Sequence, residues 1–445
     1  MQYSYQAFLK RYDVVKMITL DRTRLRSRTE IYTPLSLVKE MHDKLPVDFW
    51  KSPTNIIADP GVKSGVFLFD AVERFMVGLE PLESNEDARF TYIVKNQIWG
   101  FCCSPWAYAS VSRVLFGEIE SEEHIYNQSF LDSKGKIHKN VLKILKKNKR
   151  MNFDAIVGNP PYQELGNSGK SIAGAGRKLW IRFVEASIET LKPNGYLSVV
   201  HPSGWRSILN PMWSNIYQRW QVSDVVLEPM IKWSAGVKVD HYLLQRTPYV
   251  NPTTVTHNGK SRVVDFREVD GLVLFPFVER ILKSDGDRLK VDRTQSHHVS
   301  NGRKDGTISE SKTSKFCYPI KDSGSKDVLW ATFPHNWASK KKVIMSRTGY
   351  LDPIFDDGVC GTSDGSYAIF VSSKTEADYI IRLLNSKLYR FIQSNTKNSG
   401  FNDLKILNRL PYPKSLPASF TDADLYKHFQ LADAEIKTIE DTIKD

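Results

Sequence analysis

Only four cysteines occur in 445 residues, Cys102, Cys103, Cys317 and Cys360, and none has a partner at metal-ligand spacing. That excludes a zinc ribbon and a disulfide framework; the adjacent pair cannot easily bridge to itself, so all four are expected as reduced thiols with no metal site. No long uncharged apolar run reads as a membrane span, and Met1-Gln2-Tyr3-Ser4 leads into polar, charged sequence rather than a signal peptide. The expectation is a cytoplasmic protein without a membrane partner. Internal repeats and long low-complexity tracts are absent. A nuclease core is also missing: the nearest acidic and lysine cluster, Asp433, Glu435 and Lys437, falls in an amphipathic helical pattern, where a solvated face accounts for it.

What is present is a chain long enough for two or three domains, 41% hydrophobic, with 62 Lys and Arg against 50 Asp and Glu, net charge +12. Excess positive charge favours a polyanionic partner through phosphate neutralisation and counterion release. Clusters such as Lys143, Lys146, Lys147, Lys149, Arg150 and Lys340, Lys341, Lys342 would suit backbone phosphates, or simply solvated faces.

One stretch organises the rest: FDAIVGNPPYQE, Phe153 to Glu164. The apolar run Ala155 to Val157 reads as a buried parallel strand that stops at Gly158-Asn159-Pro160-Pro161, because two consecutive prolines remove backbone donors and fix φ. Asn159 and Tyr162 therefore stand at a strand's carboxyl end, where ligands bind in open α/β sheets. Asn159 brings a side-chain carbonyl, Pro160 a main-chain carbonyl, and Tyr162 a flat ring. Together they suit a planar ring with an exocyclic amine: two acceptors on its N–H bonds draw the nitrogen lone pair out of conjugation and make it able to attack an activated methyl group.

With that motif the chain resembles the gamma class of N6-adenine DNA methyltransferases of type II restriction–modification systems, which carry an NPPY signature and use S-adenosylmethionine. The resemblance covers roughly Thr29 to Arg246, with a looser likeness over Lys340 to Pro413. It implies an α/β fold, a Rossmann-like class I methyltransferase mixed sheet with helices on both faces, followed by an α+β C-terminal target-recognition domain. The corresponding division is 1–28, a helical extension; 29–250, the methyltransferase domain; and 251–445, the recognition domain, with the polar stretch from Thr247 to Arg262 as a linker. Asn159, Pro160, Pro161 and Tyr162 would be catalytic, acting directly on an adenine flipped out of double-stranded DNA.

The same resemblance assigns the cofactor site. Tyr32, Thr33 and Pro34 lie in TEIYTPLSLVKEMHDKLP, where Thr33 reads as a helix cap, Pro34 as its first turn, and Leu35, Leu37, Val38, Met41 and Leu45 as its apolar face. Asn55 to Ala58 reads as the first sheet strand, ending at Asp59-Pro60, and Asp59, Pro60, Gly61, Ser64, Gly65 and Phe67 would form the loop that takes the methionine end of the cofactor. Lys63 stands where the family has a second loop glycine. Cys102 and Ser129 stand where acidic residues would contact ribose and adenine, and Asn159 borders the same site.

Further along, Trp233 would pack on the target base opposite Tyr162. Lys170, Arg177 and Lys178, in a Gly- and Ser-rich loop, are candidates for DNA contacts, as are Arg347, Lys397 and Asn402 in the C-terminal segment. The partners implied are duplex DNA and a separate cognate restriction nuclease. Two alternatives stay open: a protein glutamine-amide methyltransferase, whose nitrogen has the same chemistry, and a DNA-binding protein with a decayed cofactor pocket, motivated by Lys63, Cys102 and Ser129.

Overall fold

The computed structural model describes residues 3–20, 33–117, 123–148, 152–162, 179–207, 210–230, 238–322, 328–397 and 401–444. The chain divides into two compact units, one of residues 1–205 and 211–270, the other of 206–210 and 271–445.

The first unit opens with helices α1 (Tyr5–Leu20), α2 (Leu35–Asp43) and α3 (Val47–Lys51). Then come β1 (Ile57–Val62), α4 (Val66–Gly78), α5 (Glu86–Asn96), β2 (Ile98–Cys102), α6 (Pro105–Phe116), β3 (Ile125–Tyr126) and α7 (Lys139–Lys147). It continues through β4 (Phe153–Gly158), α8 (Leu179–Glu189), β5 (Leu191–Pro202), β6 (Trp220–Leu227), β7 (Val239–Pro248), β8 (Thr253–His257) and β9 (Lys260–Val264). The nine strands form one mixed sheet in the order β3-β2-β1-β4-β5-β7-β6-β8-β9. From β3 to β5 the neighbours are parallel, and β7 is antiparallel to both β5 and β6. All six residues of β1 are buried, so both faces of the sheet are covered there, as parallel sheets require. This is the mixed α/β sheet expected from the sequence.

Three local outcomes differ from the sequence reading. The first strand does not stop at Asp59: it runs to Val62, with an irregular register between these residues, because the Gly61 N–H turns to the Asp59 carboxylate at 2.8 Å and leaves the ladder as a bulge does. Thr33 does not cap α2, where Pro34 occupies the cap position; its hydroxyl has another partner. The stretch from Thr247, read as a linker, contributes the end of β7 and the hairpin β8–β9. Thr253 and Val255 face inward, and Asn258-Gly259, at φ +49° and +71°, closes the hairpin with the left-handed pair that a two-residue turn demands. Helix α1 is part of this unit's core: Phe8 and Tyr12 are fully buried and pack on Phe69 and Phe90.

The second unit is α+β. It contains α9 (Pro276–Lys283), β10 (Asp292–Arg293), α10 (Val299–Lys304), β11 (Ile308–Ser309), β12 (Tyr318–Lys321), β13 (Val328–Ala331), β14 (Lys341–Ser346), β15 (Ile354–Asp357), β16 (Gly361–Thr362) and β17 (Ser366–Phe370). It ends with α11 (Lys374–Asn385), α12 (Lys387–Thr396), α13 (Leu404–Leu407), α14 (Asp422–His428) and α15 (Asp433–Thr442). Its strands form two four-stranded sheets, β10-β17-β14-β15 and β11-β13-β12-β16, and the terminal helices share one apolar core with the first of them. Among the described residues no helix is long and apolar enough to cross a membrane, and no group of three His, Cys, Asp or Glu could hold a metal ion.

Candidate active site

Strand β4 lies beside β1, with Ile57 opposite Ala155 and Ala58 opposite Ile156, so the two strands deliver Gly158-Asn159 and Asp59-Pro60-Gly61 to the same edge. The approach is close. A Cβ on Gly158, whose φ is +153°, would stand 2.8 Å from Asp59 Oδ1, and one on Gly61 would touch Pro161 Cδ at 3.5 Å and Pro160 Cα at 3.6 Å. Glycine is required at 158 by the carboxylate and tolerated at 61 as ordinary contact.

Asn159 is buried. Its Nδ2 donates to Thr33 Oγ1 at 3.1 Å, a contact across 126 residues. With the amide nitrogen committed to Thr33, Oδ1 is the acceptor end of the side chain. Tyr162 is half-buried, its ring packed on the apolar core; its hydroxyl is buried without a hydrogen-bond partner among the described residues, and that burial pushes its pKa up.

A shallow pocket opens at this edge. Of the residues marked in the sequence, Thr33, Asp59, Gly61, Ser64, Gly65, Phe67 and Asn159 line it, together with Lys63 and Val66. Gly65 starts α4 in the left-handed region, φ +83°, where a Cβ would strike the Phe69 ring at 2.6 Å. Buried Asp59 has its carboxyl pushed up to about 7, chiefly by desolvation, against the opposing pull of the Gly61 N–H and Lys63. Such a carboxyl ionises readily when a cation arrives. The set fits the amino-acid end of S-adenosylmethionine: a carboxylate for the ammonium, the amino end of α4 at Gly65 for the carboxylate, and Val66 and Phe67 for apolar contact.

Other predicted positions fall elsewhere. Pro34 heads α2 next to Thr33, and Pro60 is buried within β1. Cys102 ends β2 opposite Val62 and is buried, outside the pocket lining; Ser129 is exposed and donates to the Leu131 carbonyl at 2.9 Å. Tyr32, Lys170, Arg177, Lys178 and Trp233 lie outside the described residues. Two features escaped the sequence reading. The Thr33 to Asn159 bond leaves no trace in local spacing, and Val66 reads locally as one more apolar helix residue.

In the second unit Arg347, Lys397 and Asn402 meet at one turn. Lys397 Nζ donates to the Gly349 carbonyl at 3.1 Å, and the Arg347 guanidinium lies 4.3 Å from the Phe401 ring centre. Asn402 is buried and its Nδ2 donates to the Ser346 carbonyl at 3.3 Å, so its amide serves the turn instead of facing outward. Within the Lys340 to Lys342 cluster, Lys342 is fully buried against Asp356 at 2.6 Å, which removes it as a phosphate contact.

Residues 96–224, from just before β2 into β6, match the model of the Eco57I restriction-modification methylase family. No curated protein matches the chain. Among solved structures, the fold is similar to that of the DrdV–DNA complex, with TM-score 0.54, 12% identity, and 91% of this chain and 58% of that chain covered. It is also similar to the ATP-dependent Type ISP restriction-modification enzyme LlaBIII bound to DNA, with TM-score 0.53, 13% identity, and 88% and 40% covered. A third is the Type IIL restriction-modification enzyme MmeI in complex with DNA, with TM-score 0.50, 11% identity, and 100% and 76% covered. At these identities the likeness is one of fold, and the chain spans less than two thirds of the length of the first two, 58% and 40%.

Proposed function

We propose that this chain, whose residues 96–224 match a restriction-modification methylase family, transfers a methyl group from S-adenosylmethionine to N6 of an adenine flipped out of duplex DNA. One observation carries the reading: Asn159, with its amide nitrogen bound to Thr33, and Asp59 line the same pocket. An acceptor for an amine and a carboxylate for an ammonium thus border one space.

Bound there, the cofactor would supply a methyl group on a sulfonium, released as the C–S electron pair returns to sulfur. The chain's own residues do the rest. Asp59 holds the ammonium, and the amino end of α4 receives the carboxylate. Asn159 Oδ1 and the Pro160 carbonyl accept hydrogen bonds from the two N6–H groups and turn the nitrogen lone pair toward the methyl; after the C–N bond forms, the N6 cation loses one proton to water. Orientation and fixed dipoles supply the acceleration. Tyr162 offers its ring to the flipped base, a contact worth about 1–3 kcal/mol. The flip itself is needed because N6 is inaccessible in a stacked, paired base. DNA recognition falls to the second unit, in a reading that also implies a cytoplasmic enzyme working beside a separate nuclease.

The experiment is incubation with methyl-labelled S-adenosylmethionine and duplex DNA, for the wild type and Asn159→Ala. Label on DNA adenine in the wild type, lost in the variant while calorimetric cofactor binding persists, supports the reading. Label confined to protein would favour the glutamine-amide alternative, and no detectable cofactor binding with or without DNA would favour a decayed pocket.

A further inference from the structure

We propose that the turn from Ser346 to Tyr350, with Phe401 laid against it, is the element of the second unit that grips duplex DNA, and that Gln393, Lys397 and Asn402 are its positioning residues. The inference deepens the DNA reading above and rests on it for the choice of partner.

The turn follows β14 and is built from beneath. The Gly349 carbonyl accepts from Gln393 Nε2 at 2.8 Å and from Lys397 Nζ at 3.1 Å. Gln393 Nε2 also donates to Asn402 Oδ1 at 2.7 Å, while Asn402 Nδ2 reaches the Ser346 carbonyl and the Asn402 N–H reaches the Arg347 carbonyl at 2.9 Å. Gln393 and Asn402 are 5% and 4% exposed. A turn that only joined strands would leave such carbonyls to water. Here buried donors from α12 and from the chain beyond it converge on them, and ordering those side chains costs conformational entropy. In the backbone, Gly349 and Asp352 adopt left-handed φ of +58° and +43°. Glycine and aspartate are among the residues that enter this region most readily.

What the platform holds up is aromatic and cationic. Tyr350 and Phe401 are 50% and 48% exposed, and each carries a guanidinium: Arg390 is 5.0 Å from the Tyr350 ring centre and Arg347 is 4.3 Å from that of Phe401. Among the described residues, its two chain neighbours aside, no atom lies within 4 Å of where a Gly349 side chain would be, so the turn has open space there. Three cations gather at this turn. Arg280, Lys341, Lys374, Lys387 and Lys414 are ion-paired with carboxylates, whereas among the described residues Arg347, Arg390 and Lys397 pair with none and lie against backbone carbonyls, aromatic rings or, for Arg347, the Tyr367 hydroxyl. Three cations without a carboxylate, two of them with flat faces and beside exposed rings, complement phosphates and sugar or base faces. A protein partner that met the same patch would need acidic groups in place of phosphates, and the test distinguishes it.

The test is fluorescence anisotropy of a labelled mixed-sequence DNA duplex titrated with the full-length protein, without cofactor, over a range of salt concentrations. Arg347→Ala and Arg390→Ala should each weaken binding by roughly tenfold and lower the salt slope by about one. Tyr350→Ala should weaken it with the slope unchanged. Gln393→Leu, which keeps the volume and removes the donor, should reduce affinity and slope together, while Lys374→Ala, at a lysine already paired with Asp378, should change neither. Thermal melts confirm that each variant folds. Unchanged affinity and slope in a folded Arg347→Ala, Arg390→Ala double variant would overturn the proposal, and so would a wild type that binds no duplex DNA. Because no methyl transfer is measured, a protein that binds DNA through this turn yet methylates nothing would sink the functional reading and leave the turn standing.

Discussion

The corner after β4 and the turn after β14 both follow a strand, and they are held in opposite ways. Asn159 is placed by the main chain: two prolines fix φ, Gly158 lets the Asp59 carboxylate come within 2.8 Å of where its side chain would be, and one hydrogen bond to Thr33 sets the amide. The Gly349 turn is placed by side chains, with Gln393, Lys397 and Asn402 donating to its carbonyls from below. A group that must meet a reacting nitrogen within a few tenths of an ångström gains from a rigid main chain, which leaves only its own side-chain torsions to be set, here by the Thr33 hydrogen bond. A surface that must match a particular partner gains from side-chain supports, since single substitutions can then reshape it without disturbing the strand.

The largest effect that would break this contrast is at Asn159. Asn159→Ala removes one of two acceptors and should cost roughly a hundredfold or more in methyl transfer, read as labelled product per time, while cofactor affinity stays within a few-fold. A variant with wild-type turnover would reduce the corner to an ordinary proline turn.

The next effect is a pH dependence at Asp59. Its folded carboxyl sits at about 7, above the ordinary aspartate value near 4, so between these values the folded state holds a proton that the unfolded state has lost. Stability therefore falls as pH rises from about 4 to about 7, by at most about 1.4 kcal/mol per pH unit, and is flat above. Cofactor affinity should move the opposite way and tighten as the carboxylate forms. In Asp59→Asn both slopes should vanish, a result checked by denaturant melts and calorimetry across that range.

Gly158→Ala comes third. The new Cβ would meet Asp59 Oδ1 at 2.8 Å, and pushing the carboxylate aside should cost about 1–3 kcal/mol in urea unfolding, with weaker cofactor binding. Equal stability would mean that the close approach of β4 to β1 has slack. At the small end, Ser129→Ala should change stability and cofactor affinity by less than about 0.5 kcal/mol, because Ser129 is exposed and outside the pocket.

The corner could be read from sequence because everything that makes it is contiguous: an apolar strand, a glycine, and Asn159-Pro160-Pro161 in a row. The support for that corner could not, since Thr33 lies 126 residues away and its hydroxyl reads locally as a helix cap. The hairpin of β8 and β9 was hidden by composition. Its threonines look like a linker, although one face is buried and Asn258-Gly259 is a strong hairpin signal in its own right. In the second unit, residue type alone picked out Arg347, Lys397 and Asn402. That they converge on Gly349, and that Asn402 does so from a buried position, is tertiary information that no local pattern carries.

The central claim is that the Asn159 corner presents an exocyclic amine of DNA to a methyl donor held at Asp59. It is tested most directly by digesting duplex DNA to nucleosides after incubation with the wild-type protein and methyl-labelled S-adenosylmethionine, then identifying the labelled product by mass spectrometry. The account predicts label on N6-methyladenosine's deoxy form and none after Asn159→Ala. Label on cytosine C5, on protein alone, or undiminished in the variant would contradict it.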